Sequence, residues 1–177
     1  MVTRPSMLAA LGLTVALVSS PLRAADTTVT LVPIQGAPIF NGRPGSDTLA
    51  DGSGPHLYLS RTSVGLTRRA LVRFDLSSVP PGSVVRSVTL TMQQSMSISD
   101  HNVALHRLLA SWSEGPTAGR QGAGANAVAG DSTWTHRVFP STTWAAPGGD
   151  FVARASAVLC IEQISPVNYS WTGLLPS

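Results

Sequence analysis

The sequence predicts an all-β fold, an antiparallel β-sandwich, and three observations carry that prediction. First, the residues that clothe long helices are scarce. All 12 basic residues are Arg, none is Lys, and Glu114 and Glu162 are the only glutamates, whereas helices usually dress their wet face in Glu and Lys. Second, 22 Ser and 16 Thr supply the polar surface, and 16 Gly and 13 Pro supply turns. Third, short segments alternate apolar and polar residues between Gly/Pro breaks, the period of half-buried strands. At 177 residues the chain is one domain.

The elements follow in order. Thr27–Pro33 (TTVTLVP) alternates and reads as a first strand. Between Ile39 and Asp51 the pairs Asn41-Gly42, Pro44-Gly45 and Asp51-Gly52 are turn signals. His56–Ser60 is a short strand. Arg69–Leu76 (RALVRFDL) is the clearest strand: Ala70, Val72, Phe74 and Leu76 are expected to face the core, and Arg69, Leu71, Arg73 and Asp75 to face away. After the Val79–Gly82 turn, residues 85–93 put Val88, Leu90 and Met92 inward and Ser87, Thr89, Thr91 and Gln93 outward, a solvated sheet face. Val103–Leu109 is the next strand. Thr117–Ser132, rich in Gly and Ala, reads as a long loop that buries little. Its Gly122-Ala123-Gly124 lacks the strand-to-helix setting and the Lys of a phosphate loop, which argues against nucleotide binding. Thr133–Phe139 is a strand, 140–149 a turn region around Trp144, and Phe151–Leu159 a last strand. Short strands at this spacing read as a sandwich.

Residues 1–24 have the layout of a secretory signal peptide. A basic start at Arg4 leads into the apolar run Met7–Val18, followed by small residues up to Ala24. A run of 12 residues is too short to span a bilayer. The chain is therefore expected to be secreted, extracellular and without a membrane span once the leader is cleaved. Without Arg4 and Arg23 the net charge falls from +3 to +1, which removes the case for a nucleic-acid partner. The single cysteine, Cys160, has no intramolecular disulfide partner.

Four blocks in series resemble the DNRLRE-type secreted domains, a family of carbohydrate-binding modules related to disaggregatase proteins. They are RALVRFDLSSVPP (Arg69–Pro81), SVTLTM (Ser87–Met92), LHRLLASWSEG (Leu105–Gly115) and TWTHRVFPSTTWAAPGGDF (Thr133–Phe151). The literal DNRLRE string is absent. The resemblance implies a jelly-roll sandwich over residues 25–157. It also implies that residues 158–177 are a divergent or truncated tail lacking the family's last strands, where Tyr169-Ser170-Trp171 is similar to the family's Tyr-Thr-Trp. A lost closing strand would leave its neighbour's backbone groups unpaired.

Sugar recognition uses aromatic rings against pyranose faces and Arg against uronate carboxylates. The candidates are Trp112, Trp134 and Trp144, with Arg69 and Arg73, which share one face of their strand. The other reading of each Trp is core filling, and of the two arginines a solvated face with Asp75 as counter-charge. By resemblance the ligand is a polysaccharide or cell-surface glycan, with an acidic polysaccharide such as alginate as the leading case. No cofactor is expected beyond a structural calcium, for which Asp47, Asp51 and Asp75 are the candidate ligands, although no EF-hand spacing is present. His56, His101, His106 and His136 lack zinc-ligand spacing.

Catalysis is poorly supplied. A glycosidase needs two opposed carboxylates, and no Gly-x-Ser-x-Gly is present. The chain is expected to be a non-catalytic binding module, a monomer or part of a larger surface assembly. The competing readings are a structural or adhesive cell-surface sandwich without a sugar ligand, and a small polysaccharide lyase using Tyr58, His136 and Arg137.

Overall fold

The strands are antiparallel throughout, and no α-helix occurs among the described residues. The computed structural model describes residues 26–41, 45–61, 65, 67–120 and 122–173. The proposed leader, residues 1–24, lies outside them. Among the described residues eleven strands follow one another: β1 (Pro33–Asn41), β2 (Leu49–Ala50), β3 (Ser60–Arg61), β4 (Thr67–Phe74), β5 (Thr89–Gln94), β6 (His101–Leu105), β7 (Ala125–Asn126), β8 (His136–Val138), β9 (Thr142–Thr143), β10 (Ala157–Ile161) and β11 (Val167–Thr172). They pair into one three-stranded sheet, β1-β4-β3, and four two-stranded ones: β6 with β10, β5 with β11, β2 with β7 and β8 with β9. This is an all-β architecture of several antiparallel sheets, consistent with a β-sandwich. None of the described helical segments is long and apolar enough to cross a membrane.

The first strand lies later than the alternation of Thr27–Pro33 predicts. β1 begins at Pro33 and runs through Gly36 and Pro38 to Asn41. Proline lacks a donor, so a strand containing it belongs at a sheet edge. The order β1-β4-β3 puts β1 there. Its buried residues Ala37 and Ile39 join Leu71 of β4 and Trp112, Trp134 and Trp144 in the main core, with Leu108 and Ala110 packed against them. Ile161 of β10 and Trp171 of β11 are buried outside this cluster.

The faces of β4 are a correction. Leu71, expected to face away, is the buried residue of the strand, while Ala70, Val72 and Phe74 are only half-buried and Leu76 lies beyond the strand with 63% exposure. Arg69 and Arg73 therefore lie on the core side. The outward assignment fails because an Arg stem packs against apolar surface while its planar head covers an aromatic ring. On β5 the expected alternation holds: Thr89, Thr91 and Gln93 are exposed, and Leu90 and Met92 are half-buried. Val88, expected inward, lies before β5 and is exposed.

The segment Thr117–Ser132 is also corrected. Thr117, Asp131 and Ser132 are buried, and β7 within it pairs with β2. The burial is polar rather than apolar. Asp131 Oδ1 accepts the Thr117 N–H at 3.1 Å, and Oδ2 accepts the Thr117 hydroxyl and the Val128 N–H. Hydrogen bonds let a segment poor in large side chains enter the interior.

Residues 157–172 contribute β10 and β11. β10 pairs with β6 over five residues and β11 with β5 over six, burying Trp171, whose indole N–H reaches the Val103 carbonyl at 3.4 Å.

Candidate functional site

The five sugar-binding candidates lie around one wall of the main core. β4 projects Arg69 and Arg73 alongside Leu71 towards the tryptophans. The Arg69 guanidinium carbon lies 4.8 Å from the Trp134 ring centroid and 5.0 Å from that of Phe151, and Nη1 donates to the Gly148 carbonyl at 2.6 Å. Burial of the guanidinium lowers its pKa from the ordinary Arg value. Gly148 makes this approach feasible. It has φ +95°, and a Cβ there would lie 2.6 Å from Arg69 Nη1 and 2.7 Å from the Trp134 ring. Trp144 packs in the same core, its Nε1 donating to the Thr133 carbonyl at 3.0 Å.

Arg73 stacks on Trp112 at 5.3 Å, and its Nη2 donates to the Trp112 carbonyl at 2.9 Å. One residue earlier, Arg137 donates from Nη1 to the Ser111 carbonyl at 3.0 Å and to its hydroxyl at 3.1 Å. Two guanidinium groups are thus anchored on consecutive carbonyls, and neither has a carboxylate within ion-pair distance among the described residues. Beside Arg73 an open groove of about 480 Å³ runs between β4 and residues 108–112, lined by Val72, Arg73, Phe74, Ser111 and Trp112 among others; Arg137 does not line it. Each guanidinium carries five donors in a fixed fork, so both retain unused N–H groups.

The tryptophans are nevertheless buried: Trp112, Trp134 and Trp144 have their rings in the core, and the sugar-stacking face expected of them is largely taken up by packing. Of the five candidates, only Arg73 and Trp112 line the groove; Arg69, Trp134 and Trp144 do not. Ser111 also lines the groove and is not among the five candidates, and Arg137 reaches it from outside. No local spacing marks them, because Arg137 meets Ser111 across 26 positions and Arg73 meets Trp112 across 39.

The calcium candidates do not converge on a metal site: the described residues contain no group of three or more His, Cys, Asp or Glu able to hold a metal ion. Asp51 is buried and accepts the Gly119 N–H at 2.6 Å. Asp75 is exposed and accepts both the N–H and the hydroxyl of Ser77. Asp47 offers its main-chain carbonyl to the Thr135 hydroxyl. The residue types of a lyase are also dispersed, with Tyr58 packed edge-on to His56, His136 to Phe139, and Arg137 on Ser111.

No protein-family model matches this chain, and neither the curated proteins nor the solved structures include one significantly similar to it.

Proposed function

We propose that this chain is a secreted, non-catalytic carbohydrate-binding module of jelly-roll type whose groove between β4 and residues 108–112 takes an acidic sugar. One observation carries the reading. The Arg73 guanidinium lines the groove, held on the Trp112 carbonyl, and Arg137 is held on the neighbouring Ser111 carbonyl, both with donors unspent and no described carboxylate to neutralise them. Arg is the better fork for a carboxylate, which it can meet with two parallel N–H bonds. The carboxylate of the sugar meets Arg73 at the groove wall. Secretion rests on the leader-like residues 1–24. The absence of catalysis is supported by the carboxylates of Asp75, Asp131 and Asp150, which are spent on nearby backbone N–H groups.

Affinity electrophoresis in gels containing alginate, pectin or a neutral glucan tests this. Alginate and pectin are expected to retard the protein, and the Arg73→Gln variant to lose most of that retardation. Equal migration in all gels overturns the reading. Absorbance of unsaturated uronates should stay flat, and a rise would assign lyase action instead.

A structural or adhesive surface module is the second reading. It is favoured by the exposed apolar side chains Met96, Ile98, Val158 and Ile164 around β5, β6 and β10.

A further inference from the structure

A second concavity, of about 250 Å³, shares only Val72 with the Arg73 groove and carries the opposite charge. Glu114 lines it, and no described Arg does. Gly52 lets the chain close against Glu114 here, since a Cβ would collide with the Glu114 carbonyl oxygen.

The Glu114 carboxylate is only half spent. Its Oε1 accepts the Gly36 N–H at 2.7 Å, which holds the group at the wall. Oε2 has no hydrogen-bond partner among the described residues, and it is not one of the atoms that are both buried and unpaired, so it stays open to solvent. No described Arg or His lies within ion-pair distance of it, the lining His56 included. A second carboxylate stands behind the wall. A Cβ on Gly54 would collide with Asp51 Oδ1, and Asp51 too has no described cation beside it. A cleft bounded by charges of one sign concentrates ions of the other.

The remaining walls select among cations. Leu57, Val72, Pro33 and Ile34 are apolar. A divalent ion would shed water against them for a single lining carboxylate, whereas calcium takes about six to eight oxygens. The described residues hold no group of three His, Cys, Asp or Glu able to bind a metal. An ammonium on a methylene stem suits both parts, because the stem covers apolar surface while the head meets the charge. The volume of about 250 Å³ is below the roughly 300–1,000 Å³ of sites that enclose a drug-sized ligand. It therefore takes a side group rather than a whole sugar.

We infer that this concavity binds a primary ammonium group on a short alkyl stem, with Glu114 Oε2 accepting its hydrogen bonds and Leu57 and Val72 covering the stem. The site is independent of the groove, because neither uses the other's charged groups.

Amide NMR titration of the whole chain at low salt tests this, read at Gly36, whose N–H is bonded to the same carboxylate. n-Butylammonium and Nα-acetyl-lysine methylamide should shift the Gly36 resonance saturably and bind about tenfold more tightly than uncharged 1-butanol. Tighter binding of the first assigns a free alkyl amine as the ligand, and of the second a lysine side chain of a partner. Glu114→Gln removes the charge but keeps an acceptor for the Gly36 N–H, so it should melt close to the parent and lose the tenfold preference. Arg73→Gln, outside the concavity, should keep it. Equal affinity of the parent for ammonium and alcohol overturns the inference, and so does unchanged ammonium affinity in Glu114→Gln. Saturable shifts with calcium and with neither amine would assign a metal site instead. Should Glu114→Gln fail to fold, the preference of the parent for amine over alcohol still decides.

Discussion

The Arg69 guanidinium is stacked between Trp134, at 4.8 Å, and Phe151, at 5.0 Å, and is tied to the chain by a 2.6 Å hydrogen bond to the Gly148 carbonyl. This contact joins β4 to two segments more than 60 residues later in the sequence. A cation that resembles a ligand-binding group in the sequence closes the rim of the core here.

Arg69→Ala is expected to destabilise the protein by about 2 kcal/mol. That is the loss of one charge-assisted hydrogen bond and a half-buried cation–π pair. Arg69→Lys should recover only part of it, because an ammonium has no planar face to lay on the rings. Urea denaturation midpoints measure both. A midpoint unchanged in the Ala variant would show that the contact is decorative.

Asp131→Asn should cost about 2–3 kcal/mol. Every described partner of this buried carboxylate is a donor: Thr117 N–H, the Thr117 hydroxyl and Val128 N–H. An amide NH2 facing any of them leaves a donor unpaired. Hydrogen exchange should quicken first at residues 117–131. Uniform loss of protection across all sheets would contradict a local role.

Trp171→Ala should destabilise by roughly 3–5 kcal/mol, the usual cost of emptying a buried Trp site. Trp171 is only 4% exposed. Thermal melting checks this. A variant that melts like the parent would mark β11 as dispensable.

The Asp75 carboxyl should titrate below the ordinary Asp value, because the Ser77 N–H and hydroxyl both donate to its charged form. The sign follows from linkage. A carboxyl with a depressed folded pKa adds stability above its unfolded pKa and loses it as pH falls through the folded value. Asp75 is fully exposed, so the effect belongs to the turn after β4 rather than to acid unfolding. A carbon-13 NMR titration should place its midpoint below that of a free Asp, and Ser77→Ala should raise it.

The alternation of Thr89, Thr91 and Gln93 with Leu90 and Met92 placed the wet face of β5 correctly, because a period of two is a local property that survives packing, although the strand begins at Thr89 rather than Val85. The same pattern misled on β4. The period chose the apolar face of Ala70, Val72 and Phe74, since the other face carries Arg69 and Arg73, but it cannot register that an Arg can lie over a buried ring. The tryptophans decided it by offering flat surfaces that Arg69 and Arg73 could cover.

Composition and period were thus enough to establish an all-β chain with its clearest strands near β4 and β5. The excess of Arg over Lys also pointed, by residue type, to carboxylate recognition. They could not show which arginines remain available, because that depends on contacts spanning 26 to 79 positions: Arg137 on Ser111, Arg73 on Trp112, Glu114 on Gly36 and Arg69 on Gly148. Such contacts form only when distant segments pack, and no neighbouring residue records them. Packing put three candidate rings in the core, gave Arg69 a structural role, and left Arg73 beside Ser111 and Trp112 at the groove between β4 and residues 108–112.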